Sequence, residues 1–216
     1  MNKLPIIIIG AGGHAKVLID TLLMRNEKIL GIVDKDERKM GIRILNIPVI
    51  GNDSVIFNYP VDAISLVNGV GSIRYIGARK NVYDKFKEKG YSFLSIIHPS
   101  AIIARQVTFE EGVQIMAGTV IQTGSYIGRN SIINTRVTVD HDCVIGKHVH
   151  IAPGTALSGN VRIGDEVHIG TGSAIIQNVH IGSYSTIGAG SVVVKNVAEH
   201  IVAWGVPAKV VQKDNV

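Results

Sequence analysis

The sequence predicts a mixed fold, a small α/β domain over residues 1–96 followed by a parallel β-helix of hexapeptide repeats over residues 97–216. A period of six predicts the second part. From Ile97, every sixth residue through Ile103, Phe109 and Ile115 to Val193 is large and apolar, with no insertion. A parallel series, offset by four, runs from Ala101 to Val197 and holds only small or β-branched residues and Cys143. The composition agrees: 46% of the chain is hydrophobic but only 5% is aromatic, so its core is built of aliphatic side chains.

A six-residue period fits neither the 3.6 of an amphipathic helix nor the plain alternation of a hairpin sheet. It fits one short strand plus one turn. Three such sides close a triangular coil of about eighteen residues, so residue i lies under residue i+18. Gly128, Gly146, Gly164, Gly170, Gly182 and Gly188 directly follow the large residue, where a bend with little side-chain bulk is expected. A purely structural solenoid is the alternative to a functional one.

Before residue 97 the pattern changes. Leu4 to Ile9 reads as a buried strand, Gly10 to Ala15 as a loop, and the following residues to about Met24 as a helix. A second strand spans Lys28 to Val33, a third Val61 to Val67, a helix about Ile73 to Lys89, and a last strand Phe93 to Ile97. Gly10-Ala11-Gly12-Gly13-His14-Ala15 fits G-x-G-x-x-A between strand and helix, where glycines permit a tight turn and helix amides face a phosphate. Asp34 lies 34 − 15 = 19 residues beyond Ala15, the place of a ribose-binding carboxylate. The domain is thus Rossmann-like. With only about 95 residues it is half of a dinucleotide fold, which favours a mononucleotide or nucleotide-sugar. A tight turn without a ligand is the competing reading.

Five of the eight histidines, His141, His148, His150, His168 and His180, fall outside both inward series and are expected to project from the prism. His141 stands out because Asp140 and Asp142 flank it, and a carboxylate raises imidazole basicity and fixes its tautomer. Gly159 is 18 residues further on, so its amide is placed to serve an oxyanion beside that base. His150 is the second candidate for the base. Cys143 belongs to the inward series and reads as core. A histidine zinc site, as in the hexapeptide carbonic anhydrases, lacks the spacing those enzymes use, and no metal is expected.

The glycine-rich half-domain, the uninterrupted hexads, N-T-x-x-x-V-D-H-D-C-V-I-G from Asn134 and the G-V-P-A-K tail from Gly205 together resemble the sialic acid O-acetyltransferase-like sugar acyltransferases. Within that family the pattern resembles the bacillosamine-pathway enzyme, which N-acetylates a UDP-linked 4-amino sugar, and perosamine N-acetyltransferase. The resemblance implies a left-handed coil, a homotrimer, and transfer of acetyl from acetyl-CoA to a nucleotide-activated amino sugar in bacterial surface glycan synthesis. O-acetylation of sialic acid or another sugar is the alternative activity, and a nucleotide-sensing module the non-enzymatic one. It also implies site residues. The base falls on His141 and its carboxylate on Asp142, where the bacillosamine enzyme has Glu. Acetyl-CoA contacts fall on His150, Gly159, Thr171 and Ala189, the last Gly in that enzyme. Sugar-nucleotide contacts fall on Gly12, Gly13, His14, Asp34, Lys35 and Gly69.

The balance of 22 Lys and Arg against 17 Asp and Glu gives +5, scattered rather than massed, which with few aromatics argues against a nucleic-acid partner. One cysteine excludes an intrachain disulfide. No apolar run approaches the roughly 20 residues of a membrane span. LPIIIIGAGG lacks the layout of a signal peptide, so a cytoplasmic protein is expected.

Overall fold

The structure, a computed structural model, describes residues 4–71 and 76–213. The chain divides into two compact units, Met1–Pro99 and Ser100–Val216, a boundary three residues later than the hexad pattern alone places it. The first unit holds the chain as far as Ile97, whose carbonyl accepts from the Arg25 guanidinium at 3.4 Å.

The first unit is a five-stranded sheet. β1 (Ile6–Ile9), β2 (Ile29–Val33), β3 (Arg43–Ile44), β4 (Ile47–Gly51) and β5 (Ser65–Asn68) stand in the order β3-β4-β2-β1-β5. Only the β3–β4 pair is antiparallel. β1 is four consecutive isoleucines, all buried, as a central parallel strand covered on both faces requires. α1 (Gly13–Met24) joins β1 to β2, and α2 (Ile76–Glu88) follows β5; the expected start of α2 at 73–75 lies outside the described residues. The β3–β4 hairpin is not signalled by the sequence. Its turn, Leu45–Asn46, has both φ values positive (47° and 67°), and Leu is a poor marker of such a turn. Pro48 further disguises the second strand. The expected strand at Phe93 reduces to a single bridge from Phe93 to Leu66 before the two-residue strand Ile96–Ile97.

The second unit is the β-helix. Its two-residue strands pair in parallel at a step of eighteen, as in Thr138 with Ala156 and then Ala174. The large series is buried from Ile115 to Val193, while Phe109, in the first coil, is 36% exposed. The small series forms hydroxyl rungs. Thr119, Ser125, Ser131 and Ser173 each donate to a corner carbonyl fifteen residues on, at 2.9–3.0 Å, which satisfies groups the turns would leave unpaired. Cys143 occupies the same rung, its thiol 3.3 Å from the Ser158 carbonyl, and burial raises its pKa. It is a core thiol.

The glycines after the large residues do not make the bend. The left-handed residue of each corner comes two positions later, at every sixth residue from Gly112 to Gly190, and includes Asn130, Arg136, Asp142, His148, Asn160 and Tyr184. Gly128 and Gly146 are required for another reason: a Cβ would sit 2.6–2.7 Å from a backbone carbonyl carbon of the next coil. Backbone stacks on backbone there. No helix among the described residues is long and apolar enough to cross a membrane.

Candidate active site

His141 sits on the corner that follows strand Thr138–Val139. The corner is braced from the coil before it. The Ser125 hydroxyl donates to the Asp140 carbonyl at 3.0 Å and accepts from the Cys143 amide at 3.2 Å, while the Asp142 amide donates to the Thr123 carbonyl at 3.0 Å. Asp142 holds φ 60°, and its Oδ2 lies 2.8 Å from His141 Nδ1. The shorter arm of Asp therefore reaches. Asp140 is used differently, its Oδ1 accepting from the His141 amide at 2.8 Å.

An ionised carboxylate only accepts, so Nδ1 carries the proton and the Nε2 lone pair faces outward. The bond from Asp142, with the charge of Asp140 adding to it, raises the His141 pKa. Asp142→Asn is expected to return the imidazole toward its ordinary value, which an NMR titration of the ring protons reads. Gly159 closes the other side: a Cβ on it would stand 2.5 Å from His141 Nε2. Only glycine at 159 leaves the base nitrogen accessible.

Gly159 is also an expected acetyl-CoA contact, and the other three, His150, Thr171 and Ala189, lie elsewhere on the prism. His150, on strand His150–Ile151, is buried at 6% exposure. His148, at a neighbouring corner, is buried too, its Nδ1 2.9 Å from the Asn130 amide nitrogen. Both contradict the expectation of surface histidines: large neighbours one coil away, Ile132 and His168 for His150, fill the space beside an outward side chain. His168 stacks edge-on against His150 with centroids 5.0 Å apart, and burial lowers its pKa.

Asn134 orients His150, a role the sequence did not reveal. Its Oδ1 accepts from the Thr135 amide at 2.8 Å, which turns its amide nitrogen to His150 Nε2 at 3.1 Å. His150 is therefore the Nδ1–H tautomer with Nε2 occupied, and it does not replace His141 as base. Thr171 and Ala189 are exposed and one coil apart; a Cβ on Gly170 would strike the Ala189 backbone nitrogen. Thr171 and Ala189 follow the strands of the His150 sheet, whereas His141, Asp142 and Gly159 follow the strands of the next sheet. A single chain thus gathers the base and its partners on one edge and Thr171 and Ala189 on another.

In the first unit the expected nucleotide contacts cluster at the carboxyl ends of the parallel strands, where open α/β sheets bind ligands. Gly12 caps α1 and Gly13 opens it; both are exposed, and a Cβ on either meets nothing within 4 Å. The fold itself does not demand glycine there. Gly69 differs: it is buried, and a Cβ would lie 2.9 Å from Ala15 Cβ and from the Ile9 carbonyl, so packing requires it. His14 is half-buried beside Gly71, and Lys35 is exposed. Asp34 is already engaged, with Oδ2 accepting from the Ala11 amide at 2.7 Å and from Lys39 at 2.9 Å. Its Oδ1 accepts from the Asp36 amide at 2.9 Å. Against the cost of burial, these bonds lower its pKa. A cavity of about 480 Å³ opens beside it, lined by Asp36, Met40, Ile50 and Asn52 among others. Among the described residues no group of three or more His, Cys, Asp or Glu is placed to hold a metal ion.

Known proteins match both units of the chain. Residues 5–86 match the PglD N-terminal domain, and residues 124–159 and 160–195 match the bacterial transferase hexapeptide (six repeats). PerB from Caulobacter crescentus, solved with CoA and GDP-perosamine, is 38% identical and superimposes at a TM-score of 0.89 over 96% of this chain and 97% of that one. The acetyltransferase domain of PglB from Neisseria gonorrhoeae FA1090, solved with acetyl coenzyme A, is 34% identical, with a TM-score of 0.90 over 97% of this chain and all of that one. GDP-perosamine N-acetyltransferase of Escherichia coli O157:H7 is 34% identical over 83 residues, a stretch that covers 38% of this chain and 38% of that relative. With its half-domain, its hexads and its near full-length likeness to the PerB and PglB structures, the chain belongs to the hexapeptide-repeat sugar acyltransferase family of the perosamine and bacillosamine type.

Proposed function

We propose that the protein transfers an acetyl group from acetyl-CoA to the amino group of a nucleotide-activated 4-amino-deoxy sugar, as a step of bacterial surface glycan synthesis. The observation that carries this reading is the His141–Asp142 pair, its free Nε2 set against Gly159 on a scaffold similar along its length to PerB. His141 Nε2 removes a proton from the acceptor amine as its nitrogen attacks the thioester carbonyl. The Gly159 amide stabilises the tetrahedral oxyanion, and CoA thiolate leaves. The amide forms, the thioester breaks, and no acyl-enzyme intervenes. Imidazolium can return the proton to the thiolate.

His150, Gly159, Thr171 and Ala189 hold acetyl-CoA. Gly12, Gly13, His14, Asp34, Lys35 and the Gly69 backbone receive the sugar-nucleotide, with the cavity beside Asp34 for its nucleoside. The assembly in this reading is a homotrimer, supported by the placement of the base and Gly159 on one edge of the prism and of Thr171 and Ala189 on another. Cys143, a buried free thiol, fits a reducing compartment, and the reaction is placed in the cytoplasm.

Two linked measurements test the nucleotide half. Thermal shifts against UDP-, GDP- and dTDP-linked sugars identify the preferred nucleotide, and a GDP-linked 4-amino sugar is the first acceptor to assay. Gly13→Leu adds bulk in open space at an exposed position, so stability should change by within roughly 0.5 kcal/mol. The acceptor's KM should rise at least about tenfold, a loss of about 1.4 kcal/mol, with acetyl-CoA affinity unchanged. Equal loss of both affinities would mark misfolding, and an unchanged acceptor KM would remove the glycine loop from the acceptor site.

A further inference from the structure

We propose that Gly124 is a positioning residue for the His141–Asp142 pair, a glycine required because the Asp142 carboxylate occupies the place of its missing side chain. Gly124 lies one coil before Asp142, with φ 75°. A Cβ built on it would collide with Asp142 Oδ1 and lie 3.3 Å from its carboxyl carbon. The other oxygen of that carboxylate is the one on His141 Nδ1. The carboxylate therefore rests on the bare Cα of Gly124 while it holds the imidazole.

Backbone conformation alone does not explain the glycine. Arg136, His148, Glu166 and Tyr184 hold φ values of 56–61° at equivalent corners, so this prism accepts side chains in the left-handed region. Nor does the corner depend on Gly124 for its hydrogen bonds, since Thr123 and Ser125 supply them. What distinguishes position 124 is the atom it would strike. Asp142 is 64% exposed and free to swing into solvent, so a methyl at 124 is cheap for the fold. It is costly for the pair, because the swing takes Oδ2 off Nδ1. The charged groups facing His141 are then Asp140, whose Oδ1 is held by the His141 amide, and the displaced Asp142.

This inference rests on the reading of His141 as base, but its test does not need turnover. Gly124→Ala is compared with Gly118→Ala, a corner glycine with φ 67° where a Cβ meets only ordinary contact at 3.4 Å from Arg136. Both should lose the same few degrees of Tm to left-handed strain. Ring-proton NMR, with His141→Asn for assignment, should show the His141 pKa lowered in Gly124→Ala as far as in Asp142→Asn, and unchanged in Gly118→Ala. Gly124→Ala/Asp142→Asn should titrate like Asp142→Asn alone. In the acetyl-transfer assay, Gly124→Ala should lose kcat to the level of Asp142→Asn, roughly 10- to 10²-fold, while acetyl-CoA KM is retained. A wild-type His141 titration in Gly124→Ala, or a further fall in the double variant, would overturn the proposal. A lowered pKa with unchanged kcat would leave Gly124 in place and overturn His141 as the base.

Discussion

His141→Ala is expected to lower kcat by about 10²–10⁴, the range that a positioned general base supplies, with the fold intact. The imidazole is half exposed and contributes nothing to the aliphatic core, so its loss should cost stability by within roughly 0.5 kcal/mol and move Tm by a few degrees at most. The pH dependence follows from its raised pKa. Imidazole acts as base only when neutral, so activity should fall as the pH drops through a value above that of ordinary imidazole. Asp142→Asn lowers that pKa, so the acid limb should move to lower pH, with a reduced plateau from the weaker base. His150 cannot rescue the alanine variant, because Asn134 already occupies its Nε2. Rate and circular dichroism melting measured on the same preparations separate lost chemistry from lost structure. A kcat above about a tenth of wild type would assign the base elsewhere.

Arg79→Ala should do the opposite, sparing the chemistry and damaging the first unit. The guanidinium is buried, and burial pushes its pKa down to about 9, which still leaves it charged at neutral pH. Its Nη1 donates to the Asn68 carbonyl at 2.7 Å and the Val70 carbonyl at 2.9 Å. The Asn68 amide returns a bond to the Arg79 carbonyl at 2.9 Å, and its oxygen accepts from the Val70 amide at 3.2 Å. The turn after β5 is thereby tied to α2, with Gly69 pressed on Ala15 in the first turn of α1. Alanine leaves two carbonyls short of a donor and opens a cavity, at a cost of about 2–4 kcal/mol. Calorimetry should show the transition of the first unit lowered and that of the β-helix unmoved. Acceptor KM should rise as the turn loosens, and kcat at saturation should be retained. A single unshifted transition would show that Arg79 does not hold this turn.

The hexads were legible because a solenoid repeats one constraint in every coil: a large side chain inward, a small one beside it. The same repetition hid where the corners turn. Residues as different as Gly118, Arg136 and Tyr184 share the left-handed position, and no single residue type marks it. The i+1 glycines were visible, but their cause, a coil stacked on its neighbour's backbone, belongs to packing and not to the turn. The hairpin of β3 and β4 stayed hidden behind Leu45 and Pro48. At the site, the flanking aspartates and the 18-residue step to Gly159 pointed to His141, whereas the choice of Asp142 over Asp140 needed coordinates. Asn134 and Gly124 were beyond the sequence for one reason. Each acts on a residue one coil away, through a side-chain orientation or an empty space that no local pattern records.

The central claim is N-acetylation of a nucleotide-linked 4-amino sugar with His141 as base. Mass spectrometry of the reaction with acetyl-CoA and a GDP-linked 4-amino sugar, run with wild type and His141→Ala, tests it most directly. The account predicts a product one acetyl group heavier, stable to mild base as an amide is, formed by the wild type and about 10²–10⁴ times more slowly by the variant. A base-labile ester, or equal rates from the two proteins, would contradict it.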